Sequence, residues 1–240
     1  LPICYLEGAS PVGSIGPLRR AVAEDPDREE GQRQEDEAAR TALRVHHDRR
    51  HLGGAHRLHA GDADRGEQLV GLGAVLLDAV AWAVQAGVTT SDRVCIMGGS
   101  YGGYATMMGL VNDPDLFRCG INWAGVTDQQ LLYSVSWSDT TDQAKTYGLP
   151  KVMGDAVQDA EMFKTYSPLH QASRIKAPVL LAYGGKDERV PLIHGEKMRD
   201  ALKPHNAQVE WVEYRDEGHA FVDPETKVDF WVRVEKFLSK

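Results

Sequence analysis

The chain has 240 residues, 42% of them hydrophobic, and a formal net charge of −8 at pH 7. This length allows one sizeable core, and α/β domains often reach this size as a single unit. The negative charge argues against a nucleic-acid partner or an anionic membrane surface. We find no signal-peptide pattern and no apolar run long enough to span a bilayer.

The cysteines bear on the expected compartment. Cys4, Cys95 and Cys119 are too few and too scattered for a disulfide framework or a metal cluster, so we expect a reducing compartment. The absence of a targeting signal leads us to expect the cytoplasm. The first residue is Leu1 rather than methionine, which is consistent with a piece of a longer protein.

The first part of the chain lacks the features of a packed domain. No aromatic residue occurs from Leu6 to Ala81, where the average of 8% would give roughly six. Ten of the seventeen arginines lie between Arg19 and Arg65, and no apolar period is visible there, so disorder is the plain expectation. Five histidines also lie in this segment, but without regular ligand spacing or a carboxylate partner, so we predict no metal site: His46, His47, His51, His56 and His59.

Strand-like and helix-like segments alternate from about Leu76 to the end of the chain. Helical spacing with a terminal glycine marks LLDAVAWAVQAG, and KVDFWVRVEKFLSK is typical of an amphipathic closing helix. Four short apolar runs indicate buried strands: RVCIMG, FRCGINWAG, APVLLAYGG and AQVEWVEY. This alternation predicts a mostly parallel sheet flanked by helices, with its chemistry on loops at the carboxyl ends of the strands.

A serine lies between two pairs of glycines directly after the first of these strands. The pattern G-x-S-x-G, here Gly98 to Gly102, is typical of the strand-to-helix turn of α/β-hydrolases, which projects a serine hydroxyl clear of the sheet. The N–H of Tyr101 would then lie at a helix N-terminus, where it can bind a developing oxyanion. The flanking strand and helix strengthen a pattern that is weak alone, and we interpret Ser100 as a nucleophile.

The partners of such a serine should follow in the order acid, then histidine, each just after a strand. Asp187 follows APVLLAYGG and His219 follows the next strand, in the required order. Glu188 is a rival acid one residue further from its strand. Asp216 and Glu217 are alternatives, but they lie too near His219 along the loop to orient it from a separate strand.

These residues resemble the catalytic domain of the prolyl oligopeptidase family of serine peptidases, over about Leu76 to Lys240. The resemblance lies in DAVAWAV, RVCIMGGSYGGYAT, DLFRCGINWAGVTD, SPLHQASRIKAPVLLAYGGKDERVP and DEGHAF. The double glycine after Tyr101 and the D-x-R-V-P run from Asp187 favour this family over ordinary esterases. The resemblance implies an α/β-hydrolase fold and cleavage of short peptides without metal or cofactor. It also implies that a β-propeller precedes this domain in the parent protein.

The same resemblance assigns roles to single residues. It implies that Ser100 is the nucleophile, His219 the general base and later acid, and Asp187 the acid that orients it. Tyr101 would supply one oxyanion N–H. Arg189 stands where some members bind a substrate carbonyl, with a surface turn charge as the alternative. Two residues follow the strand that often borders the specificity pocket, with core packing as the alternative: Val126 and Tyr133.

The N-terminal segment departs from the family. In an alignment of LPICYLEGASP with the loop that furnishes the second oxyanion donor, Glu7 takes the place of a histidine or tyrosine, and a carboxylate there would repel the oxyanion. We therefore divide the chain into an atypical segment, 1–75, and a catalytic region, 76–240, and expect the fold to be incomplete at its N-terminus. Our hypothesis is that the stretch between Gly8 and Leu76 is foreign or frame-shifted and returns to frame near Leu76, which sequencing of the native gene tests.

Three interpretations of function follow. The first is a serine peptidase of the prolyl oligopeptidase type that forms an acyl-enzyme. The second keeps the same residues but acts on an ester, since a fold does not fix a function. The third is a defective fragment whose oxyanion site does not form. The sequence leaves cleavage preference, endopeptidase or exopeptidase action, and oligomeric state open.

Overall fold

The computed structural model describes the backbone of residues 3–5 and the whole of residues 76–240. The chain divides into two compact units, residues 1–8 with 89–240 and residues 9–88. The segment with five histidines, for which we predict no metal site, lies outside the described residues. Glu7 and the stretch that we propose to be frame-shifted lie outside them as well. The second unit contributes helix α1, residues 76–85, where the sequence predicts a helix.

The first unit is built on a sheet of five parallel strands in the spatial order β1-β2-β3-β4-β5. The strands are β1 Ile3–Tyr5, β2 Cys95–Gly99, β3 Cys119–Trp123, β4 Val179–Gly184 and β5 Val209–Tyr214. The last four coincide with the four apolar runs of the sequence, which confirms the predicted parallel sheet. β1 pairs with β2, with Cys4 opposite Ile96, so β1 covers the edge of β2 that faces away from β3.

Helices connect the strands and close the unit. They are α2 Tyr101–Asn112, α3 Leu131–Ser134, α4 Leu149–Val152, α5 Ala160–Thr165, α6 Ile193–Leu202 and α7 Pro224–Leu238. Shorter turns are the 3₁₀ segments Ser91–Arg93 and Pro168–Arg174 and the π-helical turn Ala144–Gly148. The start of α7 is well defined, because the Asp223 carboxylate accepts the N–H groups of Glu225 and Thr226, and Pro224 occupies the first helical position.

Successive side chains of the strands face opposite layers. One face packs against α7 and the loop before it, in a cluster of Met97, Ile121, Leu180, Val212, Phe221, Phe230, Val234 and Phe237. The other face meets α2 and α6, where Gly120 lies under Leu110 and Gly195 lies against the ring of Tyr183. Both faces are therefore covered, and the carboxyl ends of the strands are left to carry the loops.

The cysteines behave differently from the prediction. Cys95 of β2 and Cys119 of β3 are opposite one another in register and form a disulfide, with 4.7 Å between their Cα atoms. The register of the two strands brings together cysteines that are 24 positions apart in the chain. The number and spacing of the cysteines alone do not reveal such a pair. The interpretation of these two cysteines as unpaired is wrong, and the argument from them for a reducing compartment no longer holds.

Candidate active site

The chain turns sharply at Ser100, between the end of β2 and the start of α2. Its backbone has φ 55° and ψ −118°, in the region that L-residues avoid. Such a conformation costs on the order of 1–3 kcal/mol and persists only where the surroundings enforce it. Two backbone hydrogen bonds do so: the Ser100 N–H donates to the Trp123 carbonyl at 2.9 Å, and the Ser100 carbonyl accepts from the Tyr104 N–H at 3.1 Å.

The glycines around Ser100 are required by close backbone approach. A Cβ on Gly98 would lie 2.3 Å from the carbonyl carbon of Gly102. A Cβ on Gly103 would lie 2.4 Å from Oδ1 of Asn122 and 2.7 Å from Cα of Gly125. Because real Cβ atoms do not approach so closely, a side chain at either position would push the turn and the first turn of α2 away from the sheet.

The turn after β3 packs against this part of α2 through a buried polar network. The Gly125 N–H donates to Oδ1 of Asn122 at 2.9 Å, and the Tyr183 hydroxyl donates to the Gly125 carbonyl at 2.7 Å. Nδ2 of Asn122 donates to the Tyr183 hydroxyl at 3.2 Å. Burial raises the pKa of Tyr183, so its hydroxyl stays a neutral donor. The network fixes the start of the segment that carries Val126.

Tyr101, the predicted oxyanion donor, is the first residue of α2. Its N–H is among the four that an α-helix leaves without an intrahelical partner, at the positive end of the helix dipole. Its side chain is 60% exposed. An anion beside Ser100 could therefore accept a hydrogen bond from this N–H.

The structure brings Asp187 and His219 together, although they are 32 residues apart. Nδ1 of His219 lies 2.8 Å from Oδ2 of Asp187, which is fully buried at the end of β4. Oδ1 of Asp187 accepts the N–H groups of Arg189 and Val190, both at 2.9 Å. Because a carboxylate only accepts hydrogen bonds, this contact places a proton on Nδ1 of His219, and in the neutral ring Nε2 is then the unprotonated nitrogen. That is the tautomer a general base needs.

The rival acids have other contacts. Glu188 is exposed. Asp216 is exposed as well and forms an ion pair with Lys186 at 2.7 Å. Glu217 is buried, but its carboxylate accepts the backbone N–H groups of Val222 and Asp223. Among the four candidates, Asp187 is the one whose hydrogen bond reaches His219.

The predicted substrate-binding residues have structural contacts of their own. Arg189 forms an ion pair with Asp139, with Nε and Nη2 each 2.9 Å from the carboxylate. The Tyr133 hydroxyl donates to the Gly154 carbonyl at 2.6 Å, and its ring lies 5.7 Å from that of Phe163. Val126 is half-buried. Their roles toward a substrate stay predictions.

The sequence analysis did not find Asp139. It lies in the long connection between β3 and β4, and its N–H donates to the Glu188 carbonyl at 2.8 Å. The pair with Arg189 spans 50 residues, and no local pattern in the sequence indicates it. A second contact thus ties this connection to the turn that carries Asp187.

Two features are absent from the part of the chain that the structure describes. No cluster of three or more His, Cys, Asp or Glu side chains in residues 76–240 is arranged to hold a metal ion. None of the described helices is both long enough and apolar enough to cross a membrane.

Comparison with known proteins gives a consistent family. A family model described as the Prolyl oligopeptidase family matches residues 75–240. Dipeptidyl aminopeptidase BIII of Pseudoxanthomonas mexicana is 41% identical over 170 residues, which are 69% of this chain and 24% of that protein. Dipeptidyl peptidase family member 6 of Caenorhabditis elegans is 31% identical over 168 residues, which are 69% of this chain and 22% of that protein.

Comparison with solved structures leads to the same family of peptidases. The acylaminoacyl peptidase of Pyrococcus horikoshii has a TM-score of 0.61 at 25% identity, over 69% of this chain and 26% of that one. The chain thus spans about a quarter of the length of the relatives it matches. Its parallel sheet flanked by helices is that of the α/β-hydrolase peptidases. The chain belongs to the prolyl oligopeptidase family of serine peptidases.

Proposed function

We propose that the chain hydrolyses short peptides by a Ser-His-Asp mechanism, with Ser100 as nucleophile, His219 as general base and Asp187 as the acid that orients it. One observation supports this more than any other. His219 Nδ1 lies 2.8 Å from the buried carboxylate of Asp187. Ser100, Asp187 and His219 each follow a strand of the sheet, in the chain order typical of α/β-hydrolases.

The proposed reaction proceeds in two halves. Nε2 of His219 takes the Ser100 proton while Oγ attacks the substrate carbonyl carbon, and the Asp187 carboxylate stabilises the imidazolium that forms. The Tyr101 N–H stabilises the oxyanion. His219 then gives its proton to the leaving amine as the C–N bond breaks, which leaves an acyl ester on Ser100. Water, deprotonated by His219, then attacks the ester carbonyl carbon. His219 returns that proton to Ser100 Oγ as the bond between Oγ and the acyl carbon breaks, which releases the carboxylic acid and restores the enzyme.

We propose that three residues near the active site select the substrate. Arg189 would donate to a carbonyl of the peptide, and its ion pair with Asp139 holds the guanidinium at the turn that carries Asp187. Val126 and Tyr133 would border the pocket for the residue before the scissile bond. In the parent protein we propose a propeller domain upstream that filters peptides by size, in keeping with relatives about three times as long as this chain.

The experiment compares turnover of dipeptidyl and acylaminoacyl 4-nitroanilides with turnover of 4-nitrophenyl esters. The proposal expects amide cleavage by the 240-residue chain and its loss in Ser100→Ala. Ester cleavage alone, lost in the same variant, would replace the peptidase by an esterase. A folded protein that cleaves neither substrate class would support the defective fragment.

A further inference from the structure

The loop that carries His219 contains a buried acidic residue for which the proposed mechanism has no use. Glu217 is only 3% exposed, and it lies two residues before His219. We propose that Glu217 is a positioning residue: it fixes the loop on both sides of His219 and so holds the imidazole against Asp187. This inference rests on the proposed function, because it assigns Glu217 a role through the proposed base.

The side chain of Glu217 fastens the loop after His219. Oε2 accepts the N–H of Val222 at 2.8 Å, and Oε1 accepts the N–H of Asp223 at 2.9 Å. Both oxygens are therefore used, and the carboxylate spans the stretch that contains His219. Hydrogen bonds to a charged acceptor contribute more than neutral ones.

The backbone of Glu217 fastens the loop before His219. Its carbonyl accepts the N–H of Lys186, the neighbour of Asp187, at 2.8 Å, and its own N–H donates to the Tyr214 carbonyl at the end of β5. The fit is close, since a Cβ on Gly184 would lie 2.5 Å from the Glu217 carbonyl oxygen. The turn that carries the acid and the loop that carries the histidine are thus joined at this residue.

The two attachments have one consequence for His219. The loop is held to the Asp187 turn on one side and, through Asp223, to the first turn of α7 on the other. His219 itself is only partly buried, with 29% of its side chain exposed, so packing alone restrains it weakly. The Glu217 carboxylate supplies the restraint that keeps Nδ1 at hydrogen-bond distance from Asp187.

The test compares Glu217→Gln and Glu217→Ala with Glu213→Gln, the same chemical change at an exposed residue of β5, four positions earlier. A glutamine amide can accept only one of the two N–H groups, so we expect an intermediate loss for it. Because a small displacement of a reacting group can cost about a hundredfold, we expect kcat to fall about tenfold in Glu217→Gln and further in Glu217→Ala. KM should stay within about twofold, since no substrate contact is removed.

A spectroscopic signal and a stability control separate positioning from general support. The downfield proton resonance of His219 Nδ1 should broaden or disappear in both Glu217 variants and persist in Glu213→Gln. Asp223→Ala serves as a variant with a destabilised first turn of α7 that keeps both acceptors of Glu217. If Glu217→Ala does not fold, Glu217→Gln carries the comparison.

The outcomes are distinct. Unchanged kcat and an unchanged resonance in Glu217→Gln would overturn the inference while leaving the proposed function intact. An equal fall of kcat in Asp223→Ala and Glu217→Gln at equal loss of stability would overturn it too. If the parent chain has no Ser100-dependent turnover, the proposed function fails first, and the inference fails with it.

Discussion

His194 at the start of α6 should make the folded protein sensitive to mild acid. The side chain is fully buried; its Nδ1 accepts the Thr127 N–H at 3.2 Å, and its carbonyl accepts the Thr127 hydroxyl at 2.7 Å. Burial lowers the pKa of His194 to about 4, because desolvation outweighs the opposing charges of Asp128 and Asp187, while Lys197 lowers it further.

The direction of this pH effect follows from the protonation of His194 in the folded and the unfolded states. Above the unfolded pKa of about 6.5 the imidazole is neutral in both, and it adds nothing to the pH dependence. As the pH falls below that value the unfolded chain gains a proton that the folded chain refuses, so stability declines until about pH 4, where the folded state also binds it. At about 1.4 kcal/mol per tenfold change in proton affinity, the loss is about 2 kcal/mol by pH 5 and about 3 kcal/mol by pH 4.

Urea unfolding near pH 7.5 and pH 5.0 measures this loss. The matched variants are His194→Gln and His205→Gln, the second at an exposed position. We expect the parent chain and His205→Gln to lose equal stability on acidification, and His194→Gln to lose about 2 kcal/mol less. Since each variant is compared with itself at two pH values, its own stability offset cancels. An identical acid loss in His194→Gln would refute the reasoning.

Three further substitutions test particular contacts. Asp187→Asn should lower kcat by about 10⁴-fold with the fold retained by circular dichroism, because the amide no longer holds the required imidazole tautomer; a rate within tenfold of the parent would argue against Asp187 as the acid. Gly103→Ala should cost roughly 1–3 kcal/mol in thermal unfolding, because its Cβ would lie 2.4 Å from Asn122 Oδ1, whereas Gly148→Ala, with its nearest atom at 4.0 Å, should not; equal effects would contradict this. Asp223→Ala should cost about 1 kcal/mol in urea unfolding through loss of the N-cap, and an unchanged midpoint would contradict that.

The sheet was predictable because each strand after the N-terminal segment is a short apolar run bounded by turn residues. The strand Val179–Gly184 lies within APVLLAYGG, and the strand Cys95–Gly99 extends one residue beyond RVCIMG. A buried parallel strand needs no partner information to be recognised. The helices α3 to α5 could not be found this way. They are four to six residues long, too short to show a helical period, and tertiary contacts hold them.

The three proposed triad residues could be predicted because the α/β-hydrolase fold places them in a known chain order. Contacts that depend on loop geometry could not be predicted. Ser100, Asp187 and His219 each follow a strand, so their order could be derived from the sequence. Glu217 was considered there only as a rival acid, because nothing local shows that its carboxylate turns toward Val222 and Asp223 instead of His219. The same holds for the Cys95–Cys119 disulfide, which depends on strand register, and for the Arg189–Asp139 pair.

Labelling with a fluorophosphonate probe tests the central claim most directly, because the probe reacts with a serine only when a base activates it. The account predicts labelling of the 240-residue chain at Ser100, located by mass spectrometry. The label should be lost in Ser100→Ala and strongly reduced in His219→Ala. A folded sample that takes up no label, or takes it up equally in all three proteins, would contradict the proposal that Ser100 is an activated nucleophile.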